Sequence, residues 1–177
     1  MLDDLSEHLL DISQNSIAAG ASKITVTVRD GDYFEFEVSD NGKGMNKEQA
    51  ASAINPFYTS RKTRRVGMGL PFLKQASELC GGRFDLVSQL GAGTTVFASF
   101  DKSSIDAPPT GDIPASILTL LIDSPKIHWI FHYEKNGGIF NVDSKELEEA
   151  LDGLESLSYT DVALGVLEYL RNGIEKL

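Results

Sequence analysis

The sequence is poor in cysteine, in basic residues and in long apolar runs, and each shortage excludes a class of protein. Its 177 residues include a single cysteine, which excludes a disulfide framework and any multi-cysteine metal site. No apolar run approaches the roughly 18–20 residues of a membrane-spanning helix, and the start, Met1 to Asp4, does not resemble a signal peptide. We therefore expect a cytoplasmic protein without membrane contact.

Acidic residues outnumber basic ones by 26 to 16, and most of the excess lies late in the chain. Residues 1–100 carry a net charge of −2, whereas residues 101–177 carry −8. An acidic chain lacks the basic face that general nucleic-acid binding needs, so no nucleic-acid partner is expected. The change in charge coincides with a polar, proline-containing stretch, which predicts a domain at 1–104, a linker at 105–112 and a C-terminal region at 113–177.

The first hundred residues alternate between helical and strand patterns. Apolar residues at helical spacing predict helices at 4–19 and 70–79, and a short helix is predicted at 46–54. Alternating apolar residues predict strands at 23–28, 33–38, 84–87 and 94–100. This order fits an α+β fold, in which helices cover one face of a mainly antiparallel sheet to form a two-layer sandwich.

Two polar groups stand out on this framework. Asp11 and Asn15 are four residues apart on the first helix, so they project from one face; alone, such a pair is typical of a solvated helix surface. Asp40 ends an apolar strand and is followed by Gly42 and Gly44. Two glycines so close together indicate a backbone that something approaches closely, and a carboxylate there can accept a hydrogen bond from an exocyclic amine.

A second glycine-rich stretch indicates an anion site. Four basic residues lie within 61–65, and Gly67-Met68-Gly69-Leu70 then opens a helix. Free backbone N–H groups and the helix dipole favour phosphate at such a position, although the basic run alone is typical of a solvated loop. The spacing matches neither a Walker loop nor a dinucleotide-binding fingerprint.

Taken together, these segments resemble the ATP-binding (Bergerat) fold of gyrase, heat-shock chaperones, histidine kinases and MutL. Five motifs of that family occur in order: Asp11-x-x-x-Asn15, Asp40 to Gly44, Pro56 to Ser60, Gly67 to Leu70 and Gly91 to Thr95. The start of the match, from Asn15 to Ala21, resembles MutL, whereas 56–82 resembles histidine kinases more closely. The resemblance covers the first hundred residues and does not extend to the last seventy.

The resemblance implies a role for each matched position. Asn15 would bind Mg²⁺, Asp40 would accept from the adenine amino group together with Thr94, and Asp11 replaces the glutamate that activates water in hydrolysing members. Because aspartate is one methylene shorter, the resemblance implies slow hydrolysis. Further nucleotide contacts are implied for Gly42, Gly44, Met45, Phe57, Ser60, Arg61, Lys62, Gly67, Met68, Gly69 and Leu70.

The expected ligands are ATP or ADP with Mg²⁺, and the expected output is a regulatory kinase or slow ATPase that acts with a partner in trans. The chain lacks the phosphoacceptor-histidine surroundings of a complete histidine kinase, so the phosphoacceptor would belong to an unidentified protein partner. A homodimer is a further candidate assembly. The alternative is a non-catalytic, nucleotide-gated switch for protein interaction.

The last seventy residues predict a smaller α+β region. Residues 113–122 fit either a helix or a strand, and Asn136-Gly137 predicts the turn of a hairpin. Helices are predicted at 144–157 and 160–177, and Trp129 is predicted to belong to the core. This region serves either partner binding or dimerisation, or it simply extends the sheet of the first domain.

Overall fold

The computed structural model describes residues 4–57 and 69–177 of the chain. The strands are β1 Lys23–Asp30, β2 Tyr33–Asp40, β3 Phe84–Gln89, β4 Gly93–Asp101, β5 His128–Lys135 and β6 Gly138–Asp143. The helices are α1 Leu5–Ala18, α2 Lys47–Ala53, α3 Gly69–Leu79, α4 Ile113–Asp123, α5 Ser144–Leu151 and α6 Thr160–Glu175. In these residues the strands form one six-stranded sheet, in the order β3–β4–β2–β1–β5–β6.

The sheet is mixed, because β1 and β5 run parallel while every other neighbouring pair is antiparallel. In the parallel pair, Ile24 lies opposite Trp129. The predicted β5–β6 hairpin is confirmed: Asn136 and Gly137 have φ of 51° and 81°, as a two-residue turn with both central residues left-handed requires.

Helices cover one face of the sheet and leave the other open. On the covered face, α1 contacts β2, α3 contacts β4, and α4 lies beside α1. The largest fully buried side chains include Trp129, Phe34, Phe36 and Phe100, all from strands. On the open face, Thr27 lies between Glu37 and His132 in a polar row. The architecture is the expected α+β two-layer sandwich, and Trp129 is confirmed as a core residue.

Residues 113–122, which fit either a helix or a strand, form a helix. The Asp112 side chain caps α4 by accepting a hydrogen bond from the backbone N–H of Ala115 at 3.0 Å. Pro114 occupies the first turn, where its missing N–H has no helical partner to lose. These two signals at the helix start decide between the alternatives.

The prediction of one helix at 144–157 is wrong, because the chain breaks it after Leu151. Asp152 and Gly153 have φ of 55° and 114°, a left-handed backbone that ends an α-helix. A short 3₁₀ helix, Leu154–Ser158, follows, and α6 then runs to Glu175. Among the described residues, no helix combines the length and the apolar character that crossing a membrane requires.

The stretch predicted to be a linker is tied to the start of α1. The backbone N–H groups of Leu5 and Ser6 donate to the carbonyls of Pro109 and Thr110, at 2.9 and 3.0 Å. Beyond this stretch, β5 and β6 continue the sheet of the first hundred residues. The division of the chain into separate domains at 105–112 stays a prediction.

Candidate functional site

The fold places the polar residues of α1 beside the covered face of the sheet. Leu5, Leu9 and Ile12 are buried in the core, which fixes the orientation of the helix. Asp11 and Asn15 therefore lie half-buried at its flank, one turn apart. Within the described part of the chain, neither side chain makes a hydrogen bond or an ion pair.

Asp40, at the end of β2, is held from two sides. Its Oδ2 accepts a hydrogen bond from the Ser16 hydroxyl at 2.6 Å, and its Oδ1 accepts from the backbone N–H of Gly42 at 2.8 Å. A carboxylate has about four acceptor positions, so each oxygen can still accept another donor. Thr94 lies directly opposite Asp40 on β4.

Ser88 connects Thr94 to the first glycine segment. Its hydroxyl lies 2.8 Å from the Thr94 hydroxyl, donates to the carbonyl of Gly93 at 3.1 Å, and accepts from the backbone N–H of Met45 at 2.8 Å. Met45 thus contributes its backbone to the local structure around Thr94. Sequence reasoning missed Ser88, because the predicted strand stopped one residue earlier.

Two of the candidate glycines are required by contacts within the chain itself. A Cβ on Gly42 would lie 2.9 Å from Ala19 Cβ and 3.0 Å from Asp40 Oδ1. Gly44 has φ of 63°, and a Cβ there would overlap the backbone carbonyl of Gln89. Both glycines therefore allow the segment after β2 to approach α1 and the β3–β4 turn closely.

The start of α3 meets α1 at Asp11. A Cβ on Gly69 would overlap the Asp11 carboxylate, so a larger residue there would require the Asp11 side chain to move. Burial raises the pKa of Asp11 above its ordinary value. The first N–H groups of a helix lack intrahelical partners and carry a partial positive charge, so Gly69 and Leu70 begin a helix at a suitable place for an anion.

The structure thus brings together candidates from four elements: Asp11 and Asn15 on α1, Asp40 and Gly42 at the end of β2, Thr94 on β4, and Gly69 and Leu70 on α3. Phe57 is 93% exposed, and its N–H donates to the Asn55 side chain at 2.9 Å. Ser60, Arg61, Lys62, Gly67 and Met68 lie outside the described residues. No group of three or more His, Cys, Asp or Glu side chains suited to a metal occurs in the described ranges.

A family model described as "Histidine kinase-, DNA gyrase B-, and HSP90-like ATPase" matches residues 2–104, more than half of the chain. The chain belongs to this family. Its fold and the order of its motifs agree with the resemblance drawn from the sequence.

Sensor histidine kinases and MutL proteins are among the relatives of this ATPase-family chain. It is 31% identical over 97 residues to the sensor histidine kinase ZraS of Escherichia coli (strain K12), covering 52% of this chain and 20% of ZraS. It is 45% identical over 51 residues to the DNA mismatch repair protein MutL of Lactococcus lactis subsp. cremoris (strain SK11), covering 29% of this chain and 8% of that MutL. The chain therefore spans a fifth or less of the length of these relatives.

A solved structure extends the likeness of the fold beyond the family match. The ATPase domain of Aquifex aeolicus MutL, solved in complex with ADP, superposes with a TM-score of 0.54. The alignment covers 86% of this chain and 70% of that one, at 14% identity. At such low identity the likeness concerns the fold alone.

Proposed function

We propose that this chain binds ATP together with Mg²⁺ between α1, the end of β2 and the start of α3. The observation that carries the proposal is Asp40: a carboxylate at a strand end, held by two donors and still able to accept a third. Family membership supports the assignment, as does the ADP complex of the Aquifex aeolicus MutL domain.

The adenine end of the site is formed by Asp40 and Thr94. Asp40 accepts a hydrogen bond from the 6-amino group of adenine, which suits an acceptor-only side chain. The Thr94 hydroxyl, paired with Ser88, lies on the neighbouring strand at the same register position. Purines without an amino group leave the Asp40 carboxylate with an unmatched acceptor, and we expect them to bind more weakly.

The phosphate end is formed by α1 and α3. The Asn15 amide fits a magnesium site, because its oxygen is a hard ligand without a partner among the described residues, and Mg²⁺ takes its other ligands from phosphates and water. Bound there, Mg²⁺ supplies charge neutralisation to the phosphates. The N–H groups at Gly69 and Leu70 bind phosphate oxygens, and Arg61 and Lys62 add positive charge from the preceding segment.

Asp11 is the base candidate for the reaction. A carboxylate whose pKa is raised by burial is better matched to accepting a proton from water than an ordinary aspartate. It lies against the first residue of α3, the end of the helix assigned to phosphate. We propose slow turnover, either by hydrolysis or by phosphotransfer to a partner protein in trans.

The second candidate function is a nucleotide-gated interaction switch. It is favoured by the aspartate at position 11, whose carboxylate reaches one methylene less far than a glutamate. In such a switch, nucleotide binding changes the conformation and the affinity for a partner, with little turnover. Phosphate release and phosphotransfer distinguish the two functions.

The test is calorimetric titration of the chain with ATP and with ADP, each with and without Mg²⁺, together with a phosphate-release assay. Asp40→Ala is expected to weaken ATP binding about 100-fold, because the amino group loses a charged acceptor. Asp85→Ala is the matched control, since Asp85 is exposed on β3 and paired with Arg83. Absence of ATP binding in the unaltered chain, or an unchanged Kd in Asp40→Ala, would overturn the assignment.

A further inference from the structure

We infer that Ser16 is a positioning residue that holds Asp40 for the 6-amino group and thereby sets the preference for adenine. The inference rests on the proposed nucleotide site and adds to it a residue that makes no assigned contact with the nucleotide. Its starting point is the hydrogen bond from the Ser16 hydroxyl to Asp40 Oδ2, at 2.6 Å. Ser16 is 4% exposed, so water does not compete freely for this bond.

The direction in which Ser16 points is unusual for a buried helical serine. Such a hydroxyl commonly donates to the carbonyl one turn earlier in its own helix, as Ser13 does to the carbonyl of Leu9 at 2.8 Å. Ser16, three residues later on α1, donates instead to the end of β2. The two serines thus share a helix and burial but differ in what they bind.

The bond from Ser16 fixes the plane of the carboxylate. The terminal torsion of an aspartate is broad, so a carboxylate held at one oxygen alone can rotate. In Asp40, Ser16 holds Oδ2 while the N–H of Gly42 holds Oδ1. The lone pairs that remain then have a fixed direction, which gives a single incoming N–H donor a preorganised acceptor.

The arrangement also links the two ends of the site through one helix. Asn15 and Ser16 are adjacent on a rigid helix; the first is assigned to magnesium and the second acts on the adenine acceptor. A movement of α1 would therefore shift both ends of the site together. Asp40 is coupled to α1 by a bond that the sequence motifs alone do not indicate.

The test compares two nucleotides on three proteins. ATP and the triphosphate of purine riboside, which lacks only the 6-amino group, are titrated in the presence of Mg²⁺ into the unaltered chain, Ser16→Ala and Ser13→Ala. In Ser16→Ala we expect ATP affinity to fall about tenfold while affinity for the purine riboside triphosphate changes little, so the preference for ATP collapses. Ser13→Ala is expected to retain the preference. Ser16→Cys keeps a weak donor, so its preference for ATP is expected to lie between that of Ser16→Ala and that of the unaltered chain. This variant serves as the test if Ser16→Ala does not fold.

Each other outcome contradicts the inference in a distinct way. If Ser16→Ala weakens the binding of both nucleotides equally, Ser16 supports the fold and does not position the Asp40 carboxylate. If Ser16→Ala keeps the full preference while Asp40→Ala loses ATP binding, the inference fails and the proposed function stands. If the unaltered chain binds neither nucleotide, the proposed function itself fails.

Discussion

The layer between the helices and the sheet is filled differently on the two sides of β1. On the side of β5 it contains large apolar groups that are fully buried, among them Trp129, Leu121 and Leu170. Towards the end of β2 it contains Asp40, Asn15 and other half-buried polar side chains. One side of the sheet thus resembles an ordinary core, whereas the other leaves hydrogen-bonding capacity unused.

This difference separates stability from binding within one sheet. Buried polar groups without partners lower the free energy of unfolding, so partly buried polar groups with unused hydrogen-bonding capacity contribute little to stability and are available to a ligand. Asp11 and Asn15 have no partner among the described residues, whereas the Trp129 indole donates to the carbonyl of Ser124 at 3.1 Å. Changes on the two sides should therefore affect different measurements.

The largest expected effect is on the apolar side. Trp129→Ala removes the largest fully buried side chain, and we expect the free energy of unfolding to fall by about 3–5 kcal/mol. Urea denaturation measures this loss, and titration of the folded protein should show nearly unchanged ATP affinity. Ile139→Ala is the control, because Ile139 is 60% exposed on β6 and its loss should change stability by less than about 0.5 kcal/mol. A large drop in ATP affinity in Trp129→Ala would contradict the separation.

The next largest effect is expected at Asp11 on the polar side, where one substitution should lower activity and raise stability. Asp11→Asn is expected to lower phosphate release about 100-fold, because the base is lost. It is also expected to raise the thermal midpoint at pH 7, since burial raises the pKa of Asp11 and the charged form therefore disfavours folding. The gain in thermal midpoint should vanish below the ordinary aspartate pKa of 3.8, where Asp11 is protonated in both the folded and the unfolded chain. An unchanged rate of release would exclude Asp11 as the base.

The smallest expected effect concerns His8, one turn before Asp11 on α1. Burial lowers the pKa of His8, and within the described residues its Nδ1 has no hydrogen-bond partner. The unfolded chain therefore binds a proton more readily, and stability should fall as the pH drops below 6.5, by up to about 1.4 kcal/mol per pH unit. His8→Leu should flatten the stability profile between pH 7 and 5.

Denaturant unfolding at several pH values measures the contribution of His8. His132→Leu is the control for removing a histidine, because His132 lies on the open face of the sheet. A slope that persists in His8→Leu would assign the pH dependence to other groups.

Local patterns made much of this fold predictable. Asp30-Gly31-Asp32 and Asn136-Gly137 indicated two of the hairpin turns, and alternating residues indicated their strands. The parallel pairing of β1 with β5 was not predictable, because it joins segments about a hundred residues apart through backbone hydrogen bonds that depend on no particular side chain. The end of α5 at Asp152 was missed for a different reason: the leucine spacing continues past a left-handed residue.

The candidate site was predictable where its residues form family motifs. Asp40 and Asn15 occur in such motifs, and the structure places both beside the covered face. Ser16 and Ser88 are generic polar residues, and only their hydrogen bonds to Asp40 and Thr94 distinguish them. The sequence indicates only that Ser16 directly follows Asn15. Whether the Ser16 hydroxyl points towards Asp40 depends on how α1 packs against β2.

The central position of β1 has a consequence for any shortened form of the chain. Its backbone is bonded on one side to β2 and on the other to β5. A chain ending at residue 104 would leave β1 as an edge strand, with free N–H and C=O groups along the side that bonds to β5 in the full chain. Such an edge is a template for intermolecular pairing, so the part that matches the family would aggregate without the residues that follow it.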